Sequence, residues 1–398
     1  MNRRKRSWLA WISGVALAAL LGGCAHPAGP GVKPTDDHSR AVDRALQSVK
    51  QDYAPDGRLA IFNVGLERLG RGLVLTGEVD RAEARIEILR AVERTGVKVA
   101  DRIKVLPEER LGEQVWGIGC LSVASGRLQP EHKAELGNQV LMGEIVRVWK
   151  RSSLPLYTWY LVQTADGYLS WLHADTFVRC TREQAEAWRH APLLIVTAME
   201  GLVLEQPRAD APPVSDVVLG NLVRKTGETG DWYQVELPDQ RAGFLPRRAA
   251  QDYAAWARAR RPTAENIEQT ARRFLGRPYL WGGNSTKGFD CSGLTKQVFF
   301  LNGIDLLRDS SKQAGQGVAV PLDPDLRQLQ KGDLLFFGRP ARRSQPERVV
   351  HVGIYLGNKL FIHSSGRVHI SSLDPQSPLR DEVRIRTLLR ARRLLPAP

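Results

Sequence analysis

Three residues in the last third of this 398-residue chain have the types and spacing of a nucleophile with its base: Cys291, His351 and His363. Cys291 stands in Asp290-Cys291-Ser292-Gly293-Leu294 at the head of a helical run, where the helix dipole favours a thiolate, the form in which cysteine attacks an electrophile. Lowering a thiol from about 8.5 to about 4.5 requires roughly 5.5 kcal/mol, whereas a helix terminus supplies at most about 2 kcal/mol. An imidazolium beside the sulfur has to provide the remainder. His351 and His363 flank Gly357-Asn358 in a stretch, Val349 to Ser365, that is apolar and alternating on both sides, the pattern of a β-hairpin. Residues on paired antiparallel strands share a face only with an even register sum, which here demands an odd loop such as Gly357 to Lys359. With that loop the two histidines point the same way. His351 is then expected as the base that activates Cys291, and His363 as the group that fixes the orientation of its ring. His369, of opposite register gain, is expected at the surface.

These side chains need elements to hold them. A helix is expected from Thr263, because Ile267, Ala271, Phe274 and Leu275 recur at helical spacing and Gly276 ends it. Arg277 to Gly283 (RPYLWGG) then leads towards Cys291. Upstream, two stretches repeat one another, which reveals shared architecture within one chain. Val140-Leu-Met-Gly143-Glu-Ile-Val146 is echoed by Val217-Val-Leu-Gly220-Asn-Leu-Val223, and Trp159-Tyr-Leu-Val162 by Trp232-Tyr-Gln-Val235. Asp166-Gly-Tyr-Leu-Ser-Trp171-Leu is echoed by Asp239-Gln-Arg-Ala-Gly-Phe244-Leu. Short β-rich runs punctuated by Gly, Pro and Asp suggest two small barrels in tandem, over 111–181 and 190–250, resembling bacterial SH3-like domains. The copies differ where Tyr168 gives way to Arg241 and Glu144 to Asn221. Cys120 and Cys180 lie near the two ends of the first barrel, and an exported protein allows either a disulfide between them or two buried thiols. Neither has a second cysteine two or three residues away, so no metal site is expected, and no cofactor.

Length and composition set the frame. A chain this long is expected to form several units, and 42% hydrophobic with 25% charged residues is ordinary globular usage. The net charge of +14, four of it from Arg3, Arg4, Lys5 and Arg6, suits an anionic neighbour. Nucleic acid is disfavoured, since the basic residues are scattered and not interleaved with aromatics. The basic cap at Arg3–Arg6 precedes an apolar run, Trp8 to Leu21, that is too short to span a bilayer and fits a secretory signal over 1–23. Leu21-Gly22-Gly23-Cys24 resembles a bacterial lipobox, which implies a lipid on Cys24 and a tether over 24–50, with His26 to Arg40 as flexible stalk. The expected place is the cell envelope; if the host has two membranes, Ala25 points by analogy to the outer one, facing the periplasm. Over 51–110, strands at Leu59–Val64 and Leu73–Val79, a helix at Arg81–Arg94 and a strand at Val97–Val105 suggest a small α/β module resembling BON-type units, with no catalytic constellation.

Tyr279-Leu-Trp281-Gly-Gly, Asp290-Cys-Ser-Gly, His351-Val-Gly-Ile-Tyr-Leu-Gly and Phe361-Ile-His363-Ser-Ser, in that order, resemble the NlpC-type family of papain-like cell-wall cysteine peptidases over about Thr263 to Leu373. The resemblance implies a multidomain α+β protein ending in a papain-like α+β peptidase domain over 255–398, with Cys291 as nucleophile, His351 as base, His363 as third member and Tyr279 near the oxyanion. Two SH3-like domains ahead of the peptidase are similar to the γ-D-glutamyl-L-diamino acid endopeptidases. These cut L-Ala-γ-D-Glu-meso-diaminopimelate peptides under a roof made by the first barrel, with acidic groups holding the free ammonium of L-Ala. On that likeness Asp290, Ser292 and Trp281, with Glu135 and Tyr168 from the barrel, are the expected substrate-binding residues. A buried ammonium needs anionic partners. The rival readings are a hydrolase of intact cross-linked wall and a non-catalytic wall-binding lipoprotein. The basic loop Arg339 to Arg348 departs from the family pattern.

Overall fold

The computed structural model describes residues 37–70, 72–152 and 157–396; the leader, Cys24 and most of the expected stalk lie outside the described residues. The first unit runs α1 (Asp37–Tyr53), β1 (Phe62–Leu69), β2 (Gly72–Val79), α2 (Ala82–Glu93), β3 (Ala100–Val105). β1 pairs antiparallel with β2, and β2 pairs parallel with β3 across the α2 crossover. The strands and α2 fall close to where the sequence put them. The tether expected over 24–50 is corrected: from Asp37 it is helix. Val42, Leu46 and Val49, at helical spacing in an otherwise polar segment, are buried in one cluster with Leu75, Val79, Ile88 and Val92. That narrow stripe on a polar helix needs the module's sheet to become visible.

The two repeats fold alike. The first comprises β4 (Trp116–Gly119), β5 (Val123–Arg127), β6 (Leu136–Leu141), β7 (Ile145–Arg151), β8 (Trp159–Gln163), β9 (Leu169–His173) and β10 (Phe177–Cys180). After the short helix α3 (Arg182–Arg189), the second comprises β11 (Leu193–Val196), β12 (Glu200–Leu204), β13 (Pro213–Val218), β14 (Leu222–Thr229), β15 (Trp232–Glu236), β16 (Ala242–Pro246) and β17 (Ala250–Asp252). The strand order β10-β4-β7-β8-β9-β5-β6 is reproduced, strand for strand, as β17-β11-β14-β15-β16-β12-β13. Matching positions fill the two cores: Val140 and Val217, Val146 and Val223, Val162 and Val235, Leu172 and Leu245 are all buried. Gly143 and Gly220 both turn with positive φ, +83° and +94°. The residues that follow them differ in charge but do one job, since Glu144 accepts the N–H of Leu141 at 3.1 Å and Asn221 that of Val218 at 2.9 Å. Burial pushes the Glu144 carboxyl up to about 7. Cys120 and Cys180 are free, buried thiols. Antiparallel pairing sets Cys180 opposite Trp116 and Phe177 opposite Gly119, so the two cysteines stand roughly 14 Å apart along the ladder, beyond the reach of a disulfide.

After α4 (Tyr253–Ala259), the C-terminal unit runs α5 (Ala264–Arg272), a two-strand ladder β18 (Asn284–Ser285) and β19 (Gly288–Phe289), α6 (Cys291–Leu301), α7 (Ser310–Gln313), β20 (Val318–Val320), β21 (Leu334–Arg339), β22 (Arg348–Gly357), β23 (Leu360–Ser365), β24 (Arg367–Ser372), α8 (Glu382–Thr387) and β25 (Leu388–Arg393). The six longer strands form an antiparallel sheet in the order β20-β25-β21-β22-β23-β24. Leu294, Val298 and Phe299 of α6 bury themselves against Leu334, Phe336, Val352, Ile354 and Ile362 of that sheet, which holds the head of α6 against β22. If α1 belongs to the folded module, Leu46→Ala will lower its stability by about 2–5 kcal/mol in chemical denaturation; a loss near zero would restore the tether reading.

Candidate active site

α6 begins at Cys291 because Asp290 caps it: Asp290 Oδ1 accepts the Gly293 N–H at 2.7 Å. Position 293 has to be glycine, since a Cβ there would lie 2.0 Å from the Gly283 carbonyl oxygen. The sulfur, in a residue only 7% exposed, lies against the main chain of β22. The N–H groups of Val352 and Ser292 and the Arg308 charge favour its anion, but burial, followed by Asp290, pushes the thiol up to about 12.

The β22–β23 hairpin presents the histidines. Ile354 pairs with Ile362 and Tyr355 with Phe361, an even register sum as expected, but the device is not an odd loop. Asn358 and Lys359 form a two-residue turn with φ of 50° and 60°, and a bulge between Tyr355 and Gly357 restores the parity. His351 Nε2 lies 2.8 Å from His363 Nδ1. His369, expected at the surface, stands directly opposite His363 across β23 and β24 and is half-buried. Its Nε2 is 3.2 Å from His363 Nε2, and Ser371 Oγ is also 3.2 Å from that nitrogen.

The hydrogen positions in this chain follow from one carbonyl. His369 Nδ1 is 2.9 Å from the Arg367 oxygen, which can only accept, so Nδ1 carries a proton; with none on Nε2, that nitrogen is an acceptor. His363 then donates from Nε2 and accepts at Nδ1; His351 donates from Nε2, which leaves its Nδ1 lone pair free to take a proton. Burial first, then Arg384 and the neighbouring imidazoles, hold His351 well below its ordinary value. Burial and His369 bring His363 down to about 3. The imidazolium expected to hold a resting thiolate is therefore absent at neutral pH. Burial favours the uncharged forms of both Cys291 and His351.

Around this centre the expected substrate residues divide into two groups. Asp290, Ser292 and Arg308 form a buried knot: Arg308 Nη1 and Nη2 donate to the two Asp290 oxygens at 3.0 and 2.6 Å, and Nη1 donates to Ser292 Oγ at 3.0 Å. With the N–H of Gly282 donating to Oδ2 at 3.0 Å as well, the Asp290 carboxylate is saturated from within. Glu135 and Trp281, by contrast, are exposed, and Trp281 Nε1 donates to Glu135 Oε1 at 2.6 Å, which leaves Oε2 open. Tyr168 is buried, and its phenol is pushed far up by burial and by Asp309, with Arg308, Arg58 and Asp290 also within electrostatic reach. Tyr279 is half-buried, and burial, Cys291 and Asp290 push its phenol up to about 12, so it stays protonated.

Barrel and C-terminal unit interlock here. Gln139 Oε1 accepts the Asn284 N–H at 2.9 Å and Asn138 Oδ1 accepts from Arg308 Nε at 3.1 Å. A Cβ on Gly282, whose φ is +77°, would lie 2.2 Å from the Leu136 oxygen. The N-terminal module joins them, with Arg58 paired to Asp309 at 2.5 Å and Asp56 to Lys312 at 2.8 Å. Sequence reasoning missed Arg308, Arg58, His369 and Arg384. An arginine among many leaves no periodic signal, and the register of the β22–β23 hairpin does not determine that of β23 with β24, which sets His369 opposite His363.

Two measurements test this geometry. His363 is neutral when folded and titrates near 6.5 when unfolded, so its contribution is present above 6.5 and is lost as the pH falls from 6.5 towards 3. At pH 5 wild type should lose about 2 kcal/mol more, relative to pH 7, than His363→Asn; equal losses would contradict a buried neutral ring. Replacing both acceptors of the His363 N–H (His369→Phe with Ser371→Ala) should lower kcat at least about tenfold at nearly constant KM, and restoring Ser371 should recover part of it. An unchanged kcat would show that this chain does not set the His351 tautomer.

Residues 276–387 match the NlpC/P60 family. Among curated relatives, dipeptidyl-peptidase 6 of Lysinibacillus sphaericus is 29% identical over 265 residues, covering 63% of this chain and 89% of the relative. A γ-D-glutamyl-L-lysine dipeptidyl-peptidase of Bacillus cereus is 31% identical, over 50% of this chain and 57% of the relative. The protein of that name in Bacillus subtilis is 47% identical over 26% of this chain, and the match spans 32% of the relative. A solved NlpC/P60 family protein of Bacillus cereus superposes with a TM-score of 0.58 at 24% identity, over 71% of this chain and 100% of that one, which shows a shared fold. The C-terminal unit of this chain belongs to the NlpC/P60 family.

Proposed function

We propose that the chain is a cysteine peptidase that hydrolyses the γ-D-glutamyl to diamino acid bond, with meso-diaminopimelate or L-lysine as the diamino acid, in free peptidoglycan peptides with an unblocked amino-terminal L-Ala. The observation that carries this reading is the contact of the first barrel with the head of α6. Glu135, Leu136, Asn138 and Gln139 meet Trp281, Gly282, Asn284 and Arg308 beside Asp290. In this reading the amino-terminal part of the acyl group lies against that contact, and Glu135, whose Oε1 is held by Trp281, offers Oε2 to its ammonium. A peptide whose L-Ala nitrogen is bonded to muramic acid has no charge to offer there. The names of the relatives, two of them γ-D-glutamyl-L-lysine dipeptidyl-peptidases, support the same bond.

In this reading the sulfur's proton passes to His351 Nδ1 as Sγ attacks the γ-carbonyl carbon of D-Glu. The protonated ring is steadied by the hydrogen bond it already donates to His363. The carbonyl oxygen gains charge within reach of the neutral Tyr279 phenol and the N–H groups at the start of α6. The tetrahedral intermediate collapses, His351 returns its proton to the leaving amine, and an acyl-enzyme remains on Cys291. Water, deprotonated by the same Nδ1, cleaves the thioester. Asp290 and Ser292 act here as positioning residues that fix the helix start through Arg308, while Trp281 and Tyr168 shape the pocket. The same reading places the protein in the cell envelope, held by a lipid on Cys24.

The test is a panel of defined muropeptides analysed by mass spectrometry. L-Ala-γ-D-Glu-diaminopimelate should yield L-Ala-γ-D-Glu, and the muramyl-blocked peptide should remain intact; equal cleavage of both would remove the roofed pocket. Cys291→Ala should cut kcat by at least about 10⁴-fold with little change in Tm, and residual turnover near wild type would contradict the nucleophile.

A further inference from the structure

Glu135 and Tyr168 approach the site from the first barrel, on the Asp290 side; Arg384 approaches it from α8, on the His351 side. Arg384 sits in α8, capped by Asp381, whose Oδ1 accepts the Arg384 N–H at 3.0 Å. Its guanidinium carbon lies 5.7 Å over the Phe337 ring. Phe337 is the cross-strand partner of His351, their ring centres 5.9 Å apart. The side chain is 16% exposed, and Asp381 Oδ2 stands 4.0 Å from Nε, at the limit of an ion pair and too far for a hydrogen bond. Among the described residues Nε is sealed from solvent and has no hydrogen-bond partner. The groups of the site that feel its charge are Tyr279, Cys291, His351 and His363, all neutral in the resting protein. Guanidinium groups donate five hydrogen bonds and accept none. A partly desolvated one with no hydrogen-bonded anion, beside a reacting centre, is a receptor waiting for a carboxylate.

We propose that Arg384 binds the α-carboxylate of the diamino acid released from the scissile bond, and so selects peptides that end at that residue. The inference rests on the peptidase reading above. In that reading His351 protonates the leaving amine, so the residue carrying the amine lies on the His351 side, where Arg384 projects. Its α-carboxylate shares a carbon with that amine, and a guanidinium fork matches a carboxylate in two parallel hydrogen bonds.

The experiment compares three peptides on wild type, Arg384→Gln and Arg384→Lys: L-Ala-γ-D-Glu-L-Lys, its C-terminal amide, and the D-isoglutamine analogue with a free C-terminus. Wild type should favour the free acid over the amide by about 10- to 100-fold in kcat/KM. Arg384→Gln should erase most of that ratio while cutting the amide at nearly the wild-type rate, and Arg384→Lys, which keeps the charge without the fork, should fall between. An unchanged ratio in Arg384→Gln, or an equal loss on acid and amide, overturns the inference. Discrimination only against the isoglutamine peptide also overturns it, assigning Arg384 to the carboxylate of the acyl residue. If wild type cuts all three peptides equally well, the peptidase reading stands and the Arg384 assignment fails. If it cuts none, the peptidase reading fails and takes the assignment with it.

Discussion

The site depends on a buried ion pair, Asp290 with Arg308. Asp290 caps the helix that carries Cys291, ties down Gly282 in the loop that carries Trp281, and binds an arginine whose side chain is 1% exposed. Arg308 in turn reaches Asn138 of the first barrel. One carboxylate thus sets the start of α6, the wall of the pocket and the seat of the barrel. Such a pair adds little net stability, because desolvation of both charges offsets their attraction. It adds direction instead, since removing either partner strands the other charge inside the protein, at a cost of about 3–5 kcal/mol.

With those charges spent on structure, the chemistry is left to groups that burial keeps neutral. The sulfur and the imidazoles of His351 and His363 share a low-dielectric region in which each charged form is disfavoured. A chain of hydrogen bonds ending on the Arg367 carbonyl links the three rings and leaves His351 Nδ1 outside it. In the proposed mechanism the ion pair of Cys291 and His351 is a state reached during reaction, not the resting one. Unspent charge stands at the two ends of the site, a carboxylate at Glu135 and a guanidinium at Arg384. In the reading proposed above, that polarity answers a short substrate carrying an ammonium at one end and a carboxylate at the other.

Much of this was legible in residue order. The repeat of Val140–Val146 in Val217–Val223 foretold two sheets of identical strand order, and the apolar alternation around Gly357 foretold the hairpin with both histidines on one face. Local patterns report local structure, and these features are local. What stayed hidden depends on contacts between distant segments. The α1 stripe Val42, Leu46 and Val49 looks like tether until a sheet lies beneath it. Arg308 and Arg384 are two arginines in a basic chain, and neither spacing nor neighbours mark them as buried. His369 enters the imidazole chain only through the pairing of β23 with β24, a second hairpin whose register the first does not determine.

The most direct measurement of the central claim is mass spectrometry of the enzyme itself, quenched in acid during turnover of L-Ala-γ-D-Glu-L-Lys. The account requires an L-Ala-γ-D-Glu acyl group on the proteolytic fragment that contains Cys291, appearing before free dipeptide accumulates and absent when the L-Ala nitrogen is acylated. Steady release of dipeptide with the Cys291 fragment unmodified throughout, or an adduct on any other residue, would contradict it.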